Sequence, residues 1–342
     1  MSSHAESPGT DSGTAPARSG LVLASLIIVA AVANLNLSVA NVALPSIGDA
    51  FDSSQTTLNL IAVGLYDLHV AGRRVFWVAA CAGIIVFGSL MGAMFVSQQY
   101  LQNVLGYDTV DAGSAMLPAV VCMVIVAPRS AKLVEAQGAR ATLLMGYVFL
   151  FLAFGWMLLF WGEGSSYWQI GLAYVFIGIG VGLAGTPASR SLTGAVPVQR
   201  AGMASGTADL QRDLGGTIMQ SILGALLAAG YADAFSSAIA NDPNGKQISQ
   251  DVQSELTKSF ASAEQVAQQH SRYSDQIVAA AKSSFLQGDD WAYAAGLGAV
   301  VIGFVLVFFC FPHHDKERQL LQEYHAEDTR ARAAASAAEA ET

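Results

Sequence analysis

Long runs of apolar residues divide the chain into segments that are each long enough to cross a bilayer. Six runs come close to the ~20 mostly apolar residues that a membrane-spanning helix requires, and a seventh is shorter but uncharged from Met116 to Pro128. The seven runs are 21–43, 75–99, 114–130, 141–161, 167–187, 214–231 and 291–312. Buried helices of a large soluble protein are shorter and amphipathic, so this pattern predicts an all-α polytopic bundle in a lipid bilayer.

The polar segment 232–290, between the last two runs, carries an apolar stripe at helical spacing. Its positions include Val252, Leu256, Phe260 and Val266. Such a stripe predicts one or two amphipathic helices within an external loop.

Segment 55–70 is a weaker candidate for an eighth crossing. Sixteen helical residues rise about 24 Å, which is less than the ~30 Å hydrocarbon core. The segment also contains Asp67 and His69, which are costly in lipid. Whether it crosses decides on which side of the membrane the N-terminus lies, and the pattern leaves both arrangements open.

Lysine and arginine concentrate on one side of the predicted bundle. The short loops 44–58, 100–113 and 162–166 contain neither residue. The cations of the other connections and of the C-terminal segment are Arg73, Arg74, Arg129, Lys132, Arg140, Arg190, Arg200, Arg212, Lys316, Arg318, Arg330 and Arg332. The positive-inside rule therefore predicts that these connections and the tail 313–342 are cytoplasmic. Residues 1–20, rich in Ser, Gly, Pro and Ala, are expected to form a disordered cytoplasmic tail.

Composition supports a membrane protein and argues against several functions. Charged residues make up 13% of the 342 residues, against roughly 25% in soluble domains. The net charge is −9, and the acidic residues lie in tails and loops. Because the sequence has no cluster of basic residues, no nucleic-acid partner is expected. No Walker-type loop, GxSxG, HExxH or CxxC pattern is present, and the sequence predicts neither an enzyme nor a bound cofactor or metal. We interpret His313 and His314 as a polar stop after the last helix.

The first run is unusually polar for a membrane helix. It contains Asn34, Asn36, Ser38 and Asn41. Residues 34, 38 and 41 share one face, while Asn36 points roughly the other way. Amides in lipid need partners, so these side chains predict either a substrate or coupling path or hydrogen bonds between helices. The sequence favours neither alternative.

Three stretches carry the motifs of a known family. Residues 35–47 read LNLSVANVALPSI, residues 100–107 read YLQNVLGY, and residues 201–206 read AGMASG. They resemble, in turn, the first-helix signature, the region after the ninth helix and the approach to the thirteenth helix of a transporter group. That group is the drug:proton antiporter branch of the major facilitator superfamily with fourteen helices.

This resemblance covers roughly 20–65 and 66–312 and implies both a fold and an activity. The implied fold is a major-facilitator-like C-terminal six-helix domain plus the first helix. The implied activity is efflux of drugs or other small amphipathic molecules across the plasma (inner) membrane, driven by the proton gradient and without a bound cofactor.

The chain departs from the family pattern at three places. An aspartate of the family's first helix is Asn36 here, and an amide cannot titrate. The family's cytoplasmic gate motif is missing after the second helix. A degenerate copy survives later in the chain, where it either clamps helix ends or is ordinary positive-inside charge. Its residues are Lys132, Glu135, Gly138 and Arg140. The family order also jumps near Gly64 from the second helix to the loop before the ninth, so helices three to eight are expected to be absent.

These departures predict an unusual organisation. Segment 21–70 would hold the first helix and a stub of the second, 71–312 a six-helix domain with external loop 232–290, and 313–342 the cytoplasmic tail. One hypothesis is an efflux transporter that gains its second half as a homodimer or by pairing with a related transporter. The other is a non-transporting membrane protein, either a remnant or a partner of a full-length transporter.

Overall fold

The computed structural model describes residues 73–196, 201–242 and 248–340, and these ranges are almost wholly helical without a strand. The helices of this part of the chain are α1 Arg74–Asn103, α2 Thr109–Ala115, α3 Leu117–Gln137, α4 Ala139–Phe160, α5 Tyr167–Gly194, α6 Ala201–Asn241, α7 Gln250–Lys258, α8 Phe260–Gln269, α9 Ser274–Cys310 and α10 His314–Ala340.

Six helical stretches in the described ranges are long and apolar enough to cross a membrane. They are α1, the continuous pair α2 and α3, α4, α5, α6 and α9. Each of them holds one of the six apolar runs predicted from residue 75 onward. The predicted all-α polytopic membrane bundle is therefore confirmed for this part of the chain. The first run, 21–43, and segment 55–70 lie outside the described residues.

Local chemistry explains where several of these helices begin and end. The Asp108 carboxylate accepts hydrogen bonds from two first-turn amides of α2, at 2.8 and 2.7 Å. At the start of α5, Ser166 and Gln169 form a capping box. Gly138 alone separates α3 from α4, and its φ of +89° lies in a region that favours glycine. The two helices therefore meet without a loop.

Glycines allow two helix pairs to approach closely. A Cβ added at Gly88 of α1 would lie 2.7 Å from the carbonyl oxygen of Gly215 in α6, and one at Gly178 of α5 would overlap the α3 backbone at Ala119. Small residues of this kind bring membrane helices into direct backbone contact. Because backbone atoms cannot rotate away as side chains do, these contacts fix how α1 lies on α6 and α5 on α3.

The connection between α6 and α9 is shorter than hydropathy predicted. Helix α6 continues to Asn241 and α9 begins at Ser274, so residues 242–273, rather than 232–290, separate them. Polar residues extend both helices past the apolar stretch, where hydropathy no longer marks a helix. The connection contains α7 and α8, as the amphipathic stripe predicted. Leu256 is buried, and its carbonyl oxygen accepts a 2.9 Å hydrogen bond from the Tyr231 hydroxyl.

A further helix, α10, occupies most of the segment expected to be a tail. It begins four residues after α9 ends, and Leu320, Leu321 and Tyr324 are partly buried against the hydrophobic core. Its overall polarity hid it from a search for apolar runs, because only one narrow stripe of the helix is apolar. We call the end of the bundle that α10 contacts the α10 end, defined by Arg73, Gly138 and Cys310, and the opposite end the far end.

Candidate functional site

The α10 end is organised around Arg73, a cation that is 4% exposed. Its guanidinium donates to both carboxylate oxygens of Asp328 in α10, at 2.5 and 3.2 Å, and to the Ala195 carbonyl oxygen after α5, at 2.7 Å. The same guanidinium lies 4.6 Å from the ring centre of Tyr324. This two-oxygen pairing ties α10 to the start of α1 and the end of α5.

A second buried group, the carboxylate of Glu317, ties α10 to the start of α4. It accepts from the Ala139 amide at 3.3 Å and from the Ser191 hydroxyl at 3.4 Å, and it is 7% exposed. Burial raises the pKa of the Glu317 carboxyl, and the two hydrogen bonds counteract part of that rise. Gly138 makes the approach possible, because a Cβ there would lie 2.7 Å from Nδ1 of His314.

Two arginines cap the C-terminal end of α9. Arg74 donates to the carbonyl oxygens of Cys310 and Phe309, at 2.7 and 3.3 Å. Arg140 donates to the Phe308 carbonyl oxygen and also contacts the His313 ring, with Nη1 2.8 Å from Nδ1. Unpaired carbonyls and the helix dipole both favour cations at a helix C-terminus. The arginines thus join α1 and α4 to α9.

The predicted gate motif has its acidic residue at the same end, but with a partner on another helix. Glu135 of α3 accepts from Arg190 of α5 at 3.1 and 3.2 Å, with both side chains exposed. Arg318 of α10 donates to the Glu135 carbonyl oxygen at 3.3 Å. Lys132 is exposed and makes no hydrogen bond or ion pair within the described ranges. Glu135 and Arg140 therefore join different helix ends rather than pairing with each other.

The polar residues of the first run, Asn34, Asn36, Ser38 and Asn41, lie outside the described residues. The substrate or coupling path predicted for them stays a prediction.

Sequence reasoning overlooked a carboxylate inside the bundle, Asp289 of α9, which is 2% exposed. Among the described residues, neither of its oxygens has a hydrogen-bond partner, and the hydroxyl of Tyr293, one turn later, also lacks one. Asp289 was assigned to the loop before run 291–312, because hydropathy places the start of that helix too late.

A shallow groove between α4 and α9 is lined by apolar side chains that include Val148, Phe151 and Val301. All three are more than 40% exposed, so the groove opens onto the surface that faces lipid. Within the described ranges, no cluster of three or more His, Cys, Asp or Glu has the arrangement of a metal site. The groove is open to its surroundings and is not an enclosed drug pocket.

Sequence comparison shows which known proteins part of this chain is similar to. Residues 67–219 match the profile of the Major Facilitator Superfamily. The chain is 35% identical to the multidrug resistance protein Stp of Mycobacterium tuberculosis over 165 residues, which cover 48% of this chain and 30% of Stp. It is 26% identical to the drug efflux pump JefA of the same organism over 257 residues, covering 73% of this chain and 50% of JefA.

A staphylococcal protein matches more weakly. The quinolone resistance protein NorB of Staphylococcus aureus is 26% identical over 187 residues, which cover 50% of this chain and 40% of NorB. The chain thus spans half or less of the length of these relatives.

Proposed function

We propose that this chain, whose residues 67–219 match the profile of the Major Facilitator Superfamily, is a membrane transport protein of the multidrug efflux type. The observation that carries the proposal is the sequence similarity to relatives named for multidrug resistance and drug efflux. The proposed substrates are small amphipathic molecules, which suit pockets with generic apolar and aromatic walls. The proposed location is the plasma membrane.

Transport of this type needs two halves that rock against each other around a central site. In our proposal the six described spans form one such half. In our proposal the second half comes from a second copy of this chain or from a related transporter. The α10 end faces the cytoplasm in this arrangement, because it carries the arginines that the positive-inside rule assigns there.

The contacts at the α10 end differ in how readily they break, and this suggests separate roles. The Glu135–Arg190 pair is solvent-exposed and contributes up to about 1 kcal/mol, so it can open and close during a transport cycle. The Arg73–Asp328 pair is buried on the arginine side and costs far more to break. We therefore propose that Glu135 and Arg190 form the movable gate, while α10 holds the helix ends behind it.

An ethidium efflux assay tests this function in a bacterial host that lacks its own multidrug pumps. The wild-type chain is expected to lower ethidium accumulation, and a protonophore should abolish the effect. Glu135→Arg and Arg190→Glu are each expected to weaken efflux, because each places like charges together. The double variant should restore efflux, because the pair re-forms with reversed polarity.

Two results would count against the proposal. If the wild-type chain reaches the membrane yet leaves ethidium accumulation unchanged, the non-transporting partner becomes the better hypothesis. The pairing of halves is tested separately by co-purifying two differently tagged copies from one membrane, and recovery of a single tag would contradict the homodimer.

A further inference from the structure

Asp289 lies about four helical turns into α9, in a cluster of aromatic rings at the far end of the bundle. Tyr293 meets Trp161 edge-on, with ring centres 5.7 Å apart. Trp161 in turn stacks on Tyr100 at 4.8 Å and touches the edge of Tyr174 at 6.1 Å. Side chains from α1, α5, α9 and the residue that follows α4 thus form one aromatic cluster, and two of its members, Tyr100 and Tyr293, interact with Asp289.

The hydroxyl groups of this cluster do not solvate the carboxylate. Tyr100 donates its hydroxyl hydrogen to the Gly162 carbonyl oxygen at 2.7 Å, and Tyr174 donates to the Ser97 hydroxyl at 2.9 Å. The Tyr293 hydroxyl forms no hydrogen bond within the part of the chain that the structure describes. Within that part, both oxygens of Asp289 are therefore buried without a donor.

No cation compensates the carboxylate either. The ionisable groups that face Asp289 are Tyr100 from α1 and, on α9 itself, Asp290 and Tyr293, and Tyr174 from α5 faces Tyr293 in turn. On the α6 side, the Tyr231 backbone packs against Gly288, and its hydroxyl is hydrogen-bonded to Leu256. Within the described ranges, no Lys, Arg or His forms an ion pair with Asp289.

An ionised carboxylate in such surroundings is strongly unfavourable, because burial removes its water and no donor or cation of the described residues replaces it. A metal ion would not compensate the charge well, since hard cations require six or more oxygen ligands and this cluster offers few. An organic cation needs a cavity, and the groove described above is lined by other residues than Asp289. A proton needs no cavity, and it converts the group into a neutral acid.

We propose that Asp289 is a proton-binding site that is loaded in this conformation and emptied when the aromatic cluster opens to water. On release, the carboxyl O–H bond breaks, the proton passes to water, and the carboxylate left behind becomes hydrated. Loading reverses each of these steps. Asp289 supplies a titratable carboxylate, which the amide of Asn36 cannot supply. Its coupling to drug efflux rests on the function proposed above, whereas proton binding itself does not.

The first test measures protonation directly and does not require transport. Infrared spectra of the purified full chain in detergent at neutral pH are compared for the wild type, Asp289→Asn and Asp290→Asn. The absorption band of a protonated carboxylic acid is expected in the wild type and in Asp290→Asn, because Asp290 is exposed. The band is expected to disappear in Asp289→Asn. An unchanged band in Asp289→Asn would overturn the proposal.

A thermal unfolding measurement on the same variants guards against a folding artefact. Asparagine has the shape of a protonated aspartate, so Asp289→Asn is expected to keep or raise the melting temperature. A clear fall would mean that the native group is ionised and paired, which contradicts the proposal.

The second test uses membrane vesicles with an imposed pH gradient and ethidium as the transported probe. Asp289→Asn is expected to lose the dependence of ethidium transport on the gradient, while Asp289→Glu and Asp290→Asn retain it. A gradient dependence that persists in Asp289→Asn would overturn the coupling role. If the wild type moves no ethidium, the proposed function fails, and the infrared band still decides whether Asp289 binds a proton.

Discussion

Removing Arg73 is expected to release α10 from the bundle. Breaking a buried ion pair by deleting one partner costs roughly 3–5 kcal/mol. The Asp328 side chain is 23% exposed and is partly hydrated once it is left alone, so the lower limit, about 3 kcal/mol, applies here. The lost stacking on Tyr324 adds about 0.5–1 kcal/mol. The total for Arg73→Ala is therefore about 3.5–4 kcal/mol.

Hydrogen exchange of the α10 peptides measures this release in the purified full chain. Each 1.4 kcal/mol changes an equilibrium constant tenfold, so α10 amides should exchange at least about 100-fold faster in Arg73→Ala. Arg330→Ala is the matched control, because Arg330 lies on α10, two residues after Asp328, and is exposed. Asp328→Asn should act in the same direction, since it leaves the Arg73 guanidinium buried without its counter-charge. Equal α10 exchange in Arg73→Ala and Arg330→Ala would refute the assigned role of the pair.

Three further changes probe the remaining contacts. Gly138→Ala is expected to cost about 1–2 kcal/mol, because its φ of +89° is unfavourable for a residue with a Cβ, and to increase exchange in α10. Gly178→Leu is expected to prevent α5 from packing on α3, which size-exclusion chromatography in detergent would detect as loss of the monodisperse peak. Glu317→Gln is expected to remove a pH dependence of α10 docking. The folded-state pKa of Glu317 is raised, so docked α10 binds the proton more tightly than undocked α10. Docking is therefore strongest below the ordinary value of 4.5 and weakens as the pH rises through the raised pKa, which exchange at several pH values would record.

Each of these changes has a control on the same scaffold. Gly155→Leu should preserve the chromatographic peak, because a Cβ at Gly155 meets no atom within 4 Å. Glu323→Gln replaces an exposed acid on α10 and should retain the pH dependence of the wild type. Gly298→Ala is the control for Gly138→Ala. A Cβ at Gly298 meets no atom within 4 Å, and the φ of Gly298 is not positive, unlike that of Gly138. A control that behaves like its test variant would contradict the contact concerned.

Within the described residues, hydropathy located the membrane spans correctly but misplaced the ends of their helices. The run 291–312 lies in a helix that begins at Ser274, and the run 214–231 lies in one that ends at Asn241. The apolar core of a span is set by lipid and is visible in sequence, whereas a helix that continues into water has no such requirement. This difference moved Asp289 from a predicted loop into a buried helix.

The gate motif was found by resemblance, but its partners were not. The sequence left open whether Glu135 and Arg140 clamp helix ends or are ordinary positive-inside charge, and the structure pairs Glu135 with Arg190, 55 positions later. Arg140 contacts the end of α9 instead. Sequence spacing predicts contacts within one helix, at three or four residues, and carries no information about which other helix lies alongside.

The sequence by itself determined that this is a multi-pass helical membrane protein, because each span must satisfy its backbone internally and be apolar over about 20 residues. Both requirements are local, so they can be read from one segment at a time. Only the tertiary structure decided that Arg73 pairs with Asp328, 255 positions away, that Glu317 caps α4, and that Asp289 is buried without a partner. These facts depend on which helix faces lie together, and that is set by glycine-mediated packing across the whole bundle.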